Sequence, residues 1–148
     1  MQGQPSTIEE QIRPQTFADF IGQKRTIDNL KIAVRSAKKR KDAVDHILFC
    51  GNPGVGKTTL ARIIANEMGT TATLLSGPML KRPADIVSAL TRQGHGDVLF
   101  IDEIHRIASD VEEYLYSAME DYFVIINVEK GLHGRVLRIP LKKFTLIG

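Results

Sequence analysis

The sequence predicts an α/β fold in which a parallel β-sheet is flanked by helices. Short apolar runs at residues 46–50, 71–75, 97–102 and 144–147 alternate along the chain with patterns of helical period. Strands that alternate with helices favour parallel pairing, and continuous apolar runs are typical of strands covered on both faces. A glycine-rich turn, residues 51–56, also joins the first run to a helical pattern.

Composition fits one globular domain and excludes several other classes of protein. A chain of 148 residues that is 43% hydrophobic and 25% charged is neither low-complexity nor disordered. A single cysteine, Cys50, cannot form an internal disulfide, and we interpret it as a small core residue in a reducing compartment. No apolar run reaches the roughly 18 to 20 residues of a membrane span, and no signal peptide begins the chain. We therefore expect a soluble intracellular protein.

The first half of the chain contains a polar lead-in and then alternating elements. From residue 23 to 41, apolar residues at steps of three and four predict one buried helix face: Ile27, Leu30, Val34 and Ala37. Residues 46–50 predict a buried strand and residues 58–68 a helix closed by Gly69. A strand at 71–75 and a helix at 83–90, with Pro83 in its first turn, follow.

The second half begins with a strand at 97–102, continues with a helix and ends on a different period. Ser109 and Glu112 have the spacing of a capping box, so we expect a helix with this apolar stripe: Val111, Tyr114, Leu115, Ala118, Met119 and Tyr122. Residues 123–128 and 135–139 predict a β-hairpin whose turn passes through Gly131 and Gly134. A last strand is predicted at 144–147.

The segment GNPGVGKT, residues 51–58, fits the phosphate-loop pattern G-x-x-x-x-G-K-[ST] between a predicted strand and a predicted helix. Glycines there allow successive N–H groups to surround a phosphate chain. Lys57 would reach the β- and γ-phosphates, and the Thr58 hydroxyl would bind Mg²⁺. Thr59 would add a donor at the helix N-terminus. The pattern predicts ATP and Mg²⁺ as cofactors, with these candidate residues: Gly51, Gly54, Gly56, Lys57, Thr58 and Thr59.

The segment VLFIDE, residues 98–103, is an apolar strand that ends on two carboxylates. Asp102 would hold Mg²⁺, an ion that keeps several waters and takes few protein ligands. Glu103 would polarise the water that attacks the γ-phosphate. Lys57, Asp102 and Glu103 are therefore the predicted catalytic residues, and Thr58 and Asp102 the predicted metal ligands.

Several other residues have simpler interpretations. The basic cluster is interpreted as a solvated helix face, and the net charge of +3 does not by itself indicate a nucleic-acid binder. His105 is interpreted as a surface residue in a loop. The three tyrosines, Tyr114, Tyr116 and Tyr122, are expected to pack or to lie at a rim. The basic cluster comprises Lys31, Arg35, Lys38, Lys39, Arg40 and Lys41, with Lys142 and Lys143 near the C-terminus.

These motifs resemble the AAA+ ATPases, and among them the bacterial hexameric motors that drive branch migration of Holliday junctions in DNA recombination and repair. The likeness is carried by IRPQTFADFIGQ, DHILFCGNPGVGKTTLARIIANEMG, LLSGP, DVLFIDEIHRI, EEYLYSAMEDY and FTLIG. It implies an AAA+ P-loop NTPase core, an ATPase activity and a location in the bacterial cytoplasm. It also implies that Ile12 and Arg13 flank the adenine and that Glu120, Asp121 and Tyr122 make further nucleotide contacts.

The resemblance also implies partners and an arrangement of domains. The hairpin at 123–139 would contact the junction-binding partner protein, and other copies of the chain would complete the ring. Residues 1–22 would form a lead-in and adenine-side segment, and residues 23–148 a partial large ATPase domain. Family members continue with sensors, a helical lid and a winged-helix domain that binds junction DNA, so we expect the 148 residues to be an N-terminal portion.

Two alternatives remain open from the sequence. The chain could bind nucleotide and the partner protein without turning ATP over, because an arginine finger and the sensors are not among its residues. It could also belong to another AAA+ member, such as a clamp-loader subunit, since the phosphate loop is common to both.

The sequence departs from the family pattern at two places. Lys142 and Lys143 stand where the family commonly has prolines, and the hairpin tip EKGLHG is not a close match.

Overall fold

The computed structural model describes residues 8, 12–52, 54–128 and 134–148. Its helices are α1 (Lys24–Arg40), α2 (Lys57–Met68), α3 (Pro83–Thr91) and α4 (Ser109–Glu120). Its strands are β1 (Ala72–Ser76), β2 (Val98–Asp102), β3 (Phe123–Asn127), β4 (Val136–Pro140) and β5 (Thr145–Ile147). Short 3₁₀ turns occupy Gly77–Met79 and Ile104–Arg106.

The central sheet is parallel, as the alternation of elements predicts. Its order is β1-β2-β5, and Ser76 is paired with Asp102 at the carboxyl end of the β1–β2 ladder. The connection from β1 to β2 contains α3, and the connection from β2 to β5 contains α4. Parallel neighbours require crossover connections of this kind.

The strand predicted at 46–50 is present only as a short edge segment, so the prediction of a buried strand is wrong. Ile47 forms an isolated parallel bridge with Ile147, and the Phe49 N–H donates to the Gly148 carbonyl over 2.7 Å. Leu48 is 69% exposed, and Cys50 is exposed rather than a core residue. Apolar composition cannot distinguish a central strand from an edge, because neighbours contributed by the rest of the fold decide burial.

Strand β2 is covered on both faces, as its continuous apolar run predicts. Val98 and Phe100 pack with α1 and α2, whereas Leu99 and Ile101 pack with α3 and α4. The α1 residues Ile27, Leu30, Val34 and Ala37 are all buried, as their spacing predicts. Two apolar layers thus hold the sheet between two pairs of helices.

Helix α4 has the predicted apolar stripe but a different N-terminus. Ala108 is the N-cap, Ser109 is already helical, and no side-chain hydrogen bond caps this end. The Ala108 carbonyl instead accepts from the N–H groups of Val111 and Glu112. The predicted capping box at Ser109 is therefore wrong, because the helix begins at Ser109 itself, one residue earlier than a Ser109 cap requires.

The predicted hairpin is confirmed in its two strands. β3 and β4 are antiparallel, with Val124 opposite Ile139 and Asn127 opposite Val136. Val124 is buried against the core, while Ile125, Val136 and Leu137 are each close to half exposed or more. The predicted turn at Gly131 lies outside the described residues, and Gly134 is exposed.

The basic residues of α1 are exposed, in agreement with a solvated helix face. Lys38, Lys39 and Arg40 occupy the last turn, where positive charge favours the helix dipole. Across the part of the chain that the structure describes, no helix is both long enough and apolar enough to cross a bilayer.

Candidate nucleotide-binding site

The phosphate-loop pattern and the two carboxylates meet in one cleft at the carboxyl end of the parallel sheet. The cleft has a volume of about 720 Å³ and includes residues of the loop, of α2 and of the segment after β2. Ligands of open α/β sheets bind at this end of the strands. Nine predicted site residues line it: Arg13, Gly51, Gly54, Gly56, Lys57, Thr58, Thr59, Asp102 and Glu103.

The loop has the backbone that a phosphate cradle requires. Gly54 and Gly56 have φ angles of +85° and +90°, and Gly56 is the N-cap of α2. A β-carbon at Gly56 would also lie 3.1 Å from the ring of Phe20. Glycine is therefore favoured there for its conformation and for its size, and the first residues of α2 line the cleft, where helix N–H groups can bind an anion.

Lys57 occupies the first turn of α2, and its ammonium group contacts the loop. Its Nζ donates to the Gly51 carbonyl oxygen over 2.9 Å. Gln23 holds the loop from the other side, because its Nε2 donates to the Val55 carbonyl over 2.9 Å. These two hydrogen bonds fasten the loop at Gly51 and at Val55.

The two carboxylates occupy different backbone positions after β2. Asp102 ends the strand, and its Oδ1 accepts from the Glu103 N–H over 3.0 Å. Glu103 has a φ of +50°, which is uncommon for a residue with a side chain and is often found at functional sites. Arg106 lies 3.3 Å from Glu103 Oε2, and this half-exposed ion pair orients the carboxylate.

The residues of the cleft fit a magnesium ion that is shared with phosphate. No group of three or more potential His, Cys, Asp or Glu ligands occurs within the described ranges, so the protein offers no complete cage there. Mg²⁺ does not need one, since it commonly takes one or two protein oxygens, several waters and substrate phosphates. The Thr58 hydroxyl and the Asp102 carboxylate line the same cleft and match that requirement.

Four predicted nucleotide contacts lie away from the lining of the cleft. Ile12 is 76% exposed near the described start of the chain. Glu120 ends α4, and Asp121 and Tyr122 form the turn into β3. Burial raises the pKa of the Tyr122 phenol above its usual value. The structure does not bring these four side chains together with the phosphate loop, so their role stays a prediction.

Two residues that position the site were missed by the sequence analysis. Gln23, which fastens the loop at Val55, lies 32 residues away in sequence, and no local pattern indicates that contact. Arg106 could have been found, because it follows Glu103 by three residues and a helical turn of that length brings opposite charges together. His105 is exposed, as expected of a surface histidine, and borders the cleft.

Comparison with known proteins identifies one family. The family model described as "Holliday junction DNA helicase RuvB P-loop domain" matches residues 12–148. The Holliday junction branch migration complex subunit RuvB of Chlorobaculum tepidum is 54% identical over 95% of this chain. The subunit of the same name from Salinibacter ruber is 50% identical over the same share. The chain spans 41% of the length of each of these two relatives.

Solved structures agree with this similarity. A mutant of Thermotoga maritima RuvB superimposes with a TM-score of 0.82 at 45% identity, covering 92% of this chain and 42% of that one. The Thermotoga maritima protein described as a Holliday junction branch migration motor gives a TM-score of 0.78 at 43% identity, with 93% and 41% coverage. The similarity thus extends over the whole described sheet and its flanking helices.

Proposed function

This chain belongs to the family of RuvB P-loop domains, and we propose that it is the ATP-binding and ATP-hydrolysing portion of a motor for Holliday junction branch migration. One observation carries the proposal: the glycine-rich loop before α2 and the carboxylates after β2 line a single cleft. Phosphoryl transfer needs positioned charges rather than covalent chemistry from the protein, and this cleft supplies them.

The phosphate loop would bind the triphosphate. Backbone N–H groups of residues 54–56 and of the first turn of α2 would donate to phosphate oxygens. The Lys57 ammonium would leave the Gly51 carbonyl and donate to the β- and γ-phosphates, a charge-assisted contact that is stronger than the one it replaces. Thr59 would add a donor at the same helix end.

Glu103 would act on the attacking water. Thr58 and Asp102 would hold Mg²⁺, which neutralises charge on the phosphates when it is bound. Glu103 lines the cleft from a left-handed backbone position, and its carboxylate is paired with Arg106. Glu103 would accept a proton from the water, as a general base does, while Asp102 remains at the metal.

The adenine end of the nucleotide would meet residues farther from the loop. Arg13 borders the cleft, which supports its predicted place beside the adenine, and Ile12 is adjacent in the chain. We propose that Glu120, Asp121 and Tyr122 contact the nucleotide as well. In this arrangement residues 1–22 supply the adenine side and residues 23–148 the body of the ATPase domain.

The β3–β4 hairpin would contact RuvA, the junction-binding partner. Ile125 and Val136, which expose 46% and 60% of their surface, lie on the same face of adjacent strands, because Ile125 and Asn127, the partner of Val136, alternate with the inward-facing Val124. Clustered exposed apolar residues of this kind mark protein interaction sites, whereas scattered ones do not. We propose that the motor works in the bacterial cytoplasm as a hexameric ring, with junction DNA bound mainly by a further C-terminal domain of the full-length motor.

The principal alternative is a module that binds nucleotide without turnover. A single-turnover assay with ATP and Mg²⁺ distinguishes the two, using Glu103→Gln as the test variant and Glu113→Gln, an exposed carboxylate on α4, as the control. Hydrolysis that is lost in Glu103→Gln and retained in Glu113→Gln supports the ATPase. Binding by both variants and by the parent chain, without hydrolysis, leaves only the binding module.

The second alternative, a clamp-loader subunit, has less support than the branch-migration motor. The match to the RuvB model covers residues 12–148, well beyond the phosphate loop that AAA+ proteins share. A titration with purified RuvA tests the point directly. Saturable binding that depends on the hairpin supports the motor, and the absence of binding by a full-length protein would favour the other family member.

A further inference from the structure

The imidazole of His46 joins three elements of the fold. Its Nδ1 accepts a hydrogen bond from the Leu146 N–H of β5 over 2.9 Å. Its Nε2 lies 3.0 Å from the Met119 carbonyl oxygen near the end of α4. His46 itself begins the edge segment, which continues through residues 47–50 into the phosphate loop. One side chain therefore connects α4, β5 and the segment that leads into the loop.

The two backbone partners determine the tautomer of His46. The Leu146 N–H is only a donor, so Nδ1 must carry a lone pair. The Met119 carbonyl is only an acceptor, so Nε2 must carry the proton. A neutral imidazole with its proton on Nε2 satisfies both groups, and neither the other tautomer nor the imidazolium does.

Aromatic packing fixes the plane of the ring. The His46 ring centroid lies 6.1 Å from that of Tyr122 and 5.7 Å from that of Phe144. Tyr122 and Phe144 meet each other edge to face at 5.9 Å. Tyr122 also has a φ of +53°, a costly backbone conformation for a bulky side chain, which persists only where its surroundings hold it.

We propose that His46 is a positioning residue that sets the Glu120–Tyr122 turn relative to the phosphate loop. It does so by donating from Nε2 to the Met119 carbonyl, the residue directly before Glu120. This inference rests on the proposed function, in which Glu120, Asp121 and Tyr122 contact the nucleotide. The side chain touches no phosphate-loop residue in the described contacts, so its effect passes through the α4 terminus.

Two substitutions separate the hydrogen bonds of His46. In His46→Gln, the amide nitrogen takes the approximate place of Nε2 and keeps the donor to Met119. In His46→Asn, the amide oxygen takes the approximate place of Nδ1 and keeps the acceptor for Leu146. Each variant loses one neutral hydrogen bond and part of the ring packing, so their losses of stability are expected to be similar.

The probes are Mg·ATP and inorganic tripolyphosphate, and the readouts are their affinities and the free energy of unfolding. Tripolyphosphate occupies only the phosphate loop. We expect His46→Asn to bind ATP about five- to tenfold more weakly, the equivalent of one hydrogen bond, and tripolyphosphate within about twofold of the parent chain. His46→Gln should bind both within about twofold. If His46 contributed only to stability, two variants with the same free energy of unfolding would bind ATP with the same affinity.

Equal ATP affinities for the two variants would overturn the role of His46. A loss of tripolyphosphate binding in His46→Asn as large as its loss of ATP binding would also overturn it. Neither result would contradict the proposed function. Failure of the parent chain to bind ATP would instead overturn the proposed function. Nitrogen-15 NMR of the parent chain is an independent check that needs no variant. It should report a pyrrole-type Nε2 and a pyridine-type Nδ1, and the reverse assignment would sink the inference.

Discussion

Gly77 packs directly against the backbone carbonyl of Glu103. A β-carbon on Gly77 would overlap the Glu103 oxygen and would also lie 3.1 Å from its carbonyl carbon. The contact joins the 3₁₀ turn after β1 to the backbone of the predicted catalytic base. The site thus depends on a neighbouring strand as well as on the loop and carboxylates that the sequence reveals.

Gly77→Ala is expected to lower ATP hydrolysis by roughly a hundredfold, because a displacement of about 1 Å at a catalytic group has an effect of that size. The matched control is Gly69→Ala at the C-terminus of α2. Gly69 has a φ of +68° and open space around its β-position, so this change costs about 1–2 kcal/mol of stability away from the cleft. Single-turnover hydrolysis and chemical unfolding of both variants check the prediction. Equal loss of activity in the two would contradict it.

Lys57→Ala is expected to weaken ATP binding by roughly ten- to a hundredfold, the range of a charge-assisted hydrogen bond. Its effect on unfolding should be small, within about 0.5 kcal/mol, because the Gly51 carbonyl that it leaves is exposed to water. Lys39→Ala, which removes an equal charge from the exposed face of α1, is the control. Titration with a fluorescent ATP analogue measures the affinity of both variants, and chemical unfolding measures their stability. If Lys39→Ala weakened ATP binding as much as Lys57→Ala, a specific contact between Lys57 and the phosphates would be refuted.

Val136→Asp is expected to weaken RuvA binding at least tenfold, because it places a charge on the hairpin face that Val136 shares with Ile125. Ile32→Asp provides a control of the same chemistry, since Ile32 is 64% exposed on α1. Both chains should bind ATP and unfold normally. Surface-plasmon titration against RuvA tests the pair, and retention of full RuvA affinity by Val136→Asp would exclude this part of the hairpin from the contact.

Asp42→Asn is expected to reduce the loss of stability at acid pH. The Ala43 N–H and the Lys143 ammonium lower the pKa of the Asp42 carboxyl in the folded protein. A lowered pKa contributes stability above the ordinary value of about 4, and that contribution disappears as the pH falls through the lower folded value. Thermal unfolding at pH 7 and pH 3 should show a smaller difference for Asp42→Asn than for the control Glu113→Gln. Identical differences would show that the Asp42 carboxylate, with its contacts to the Ala43 N–H and to Lys143 3.2 Å away, does not contribute.

Local patterns predicted most of the secondary structure, but they predicted burial correctly for helix α1 and wrongly for residues 46–50. The spacing of Ile27, Leu30, Val34 and Ala37 identified the buried face of α1 because a helix repeats every 3.6 residues whatever surrounds it. The apolar composition of residues 46–50 did not indicate that Leu48 is exposed, because exposure depends on which other parts of the chain pack against the segment.

The sequence by itself determined the parallel α/β fold, the phosphate loop ending at Lys57 and the carboxylates Asp102 and Glu103. The periodicity of apolar residues predicts the fold, and fixed spacings over a few residues identify the two motifs. Only the tertiary structure decided that Gly77 contacts Glu103, that Gln23 fastens the loop and that His46 lies between Met119 and Leu146. Each of these contacts joins residues 26 to 100 positions apart, and such pairs meet only when the sheet and its helices are assembled.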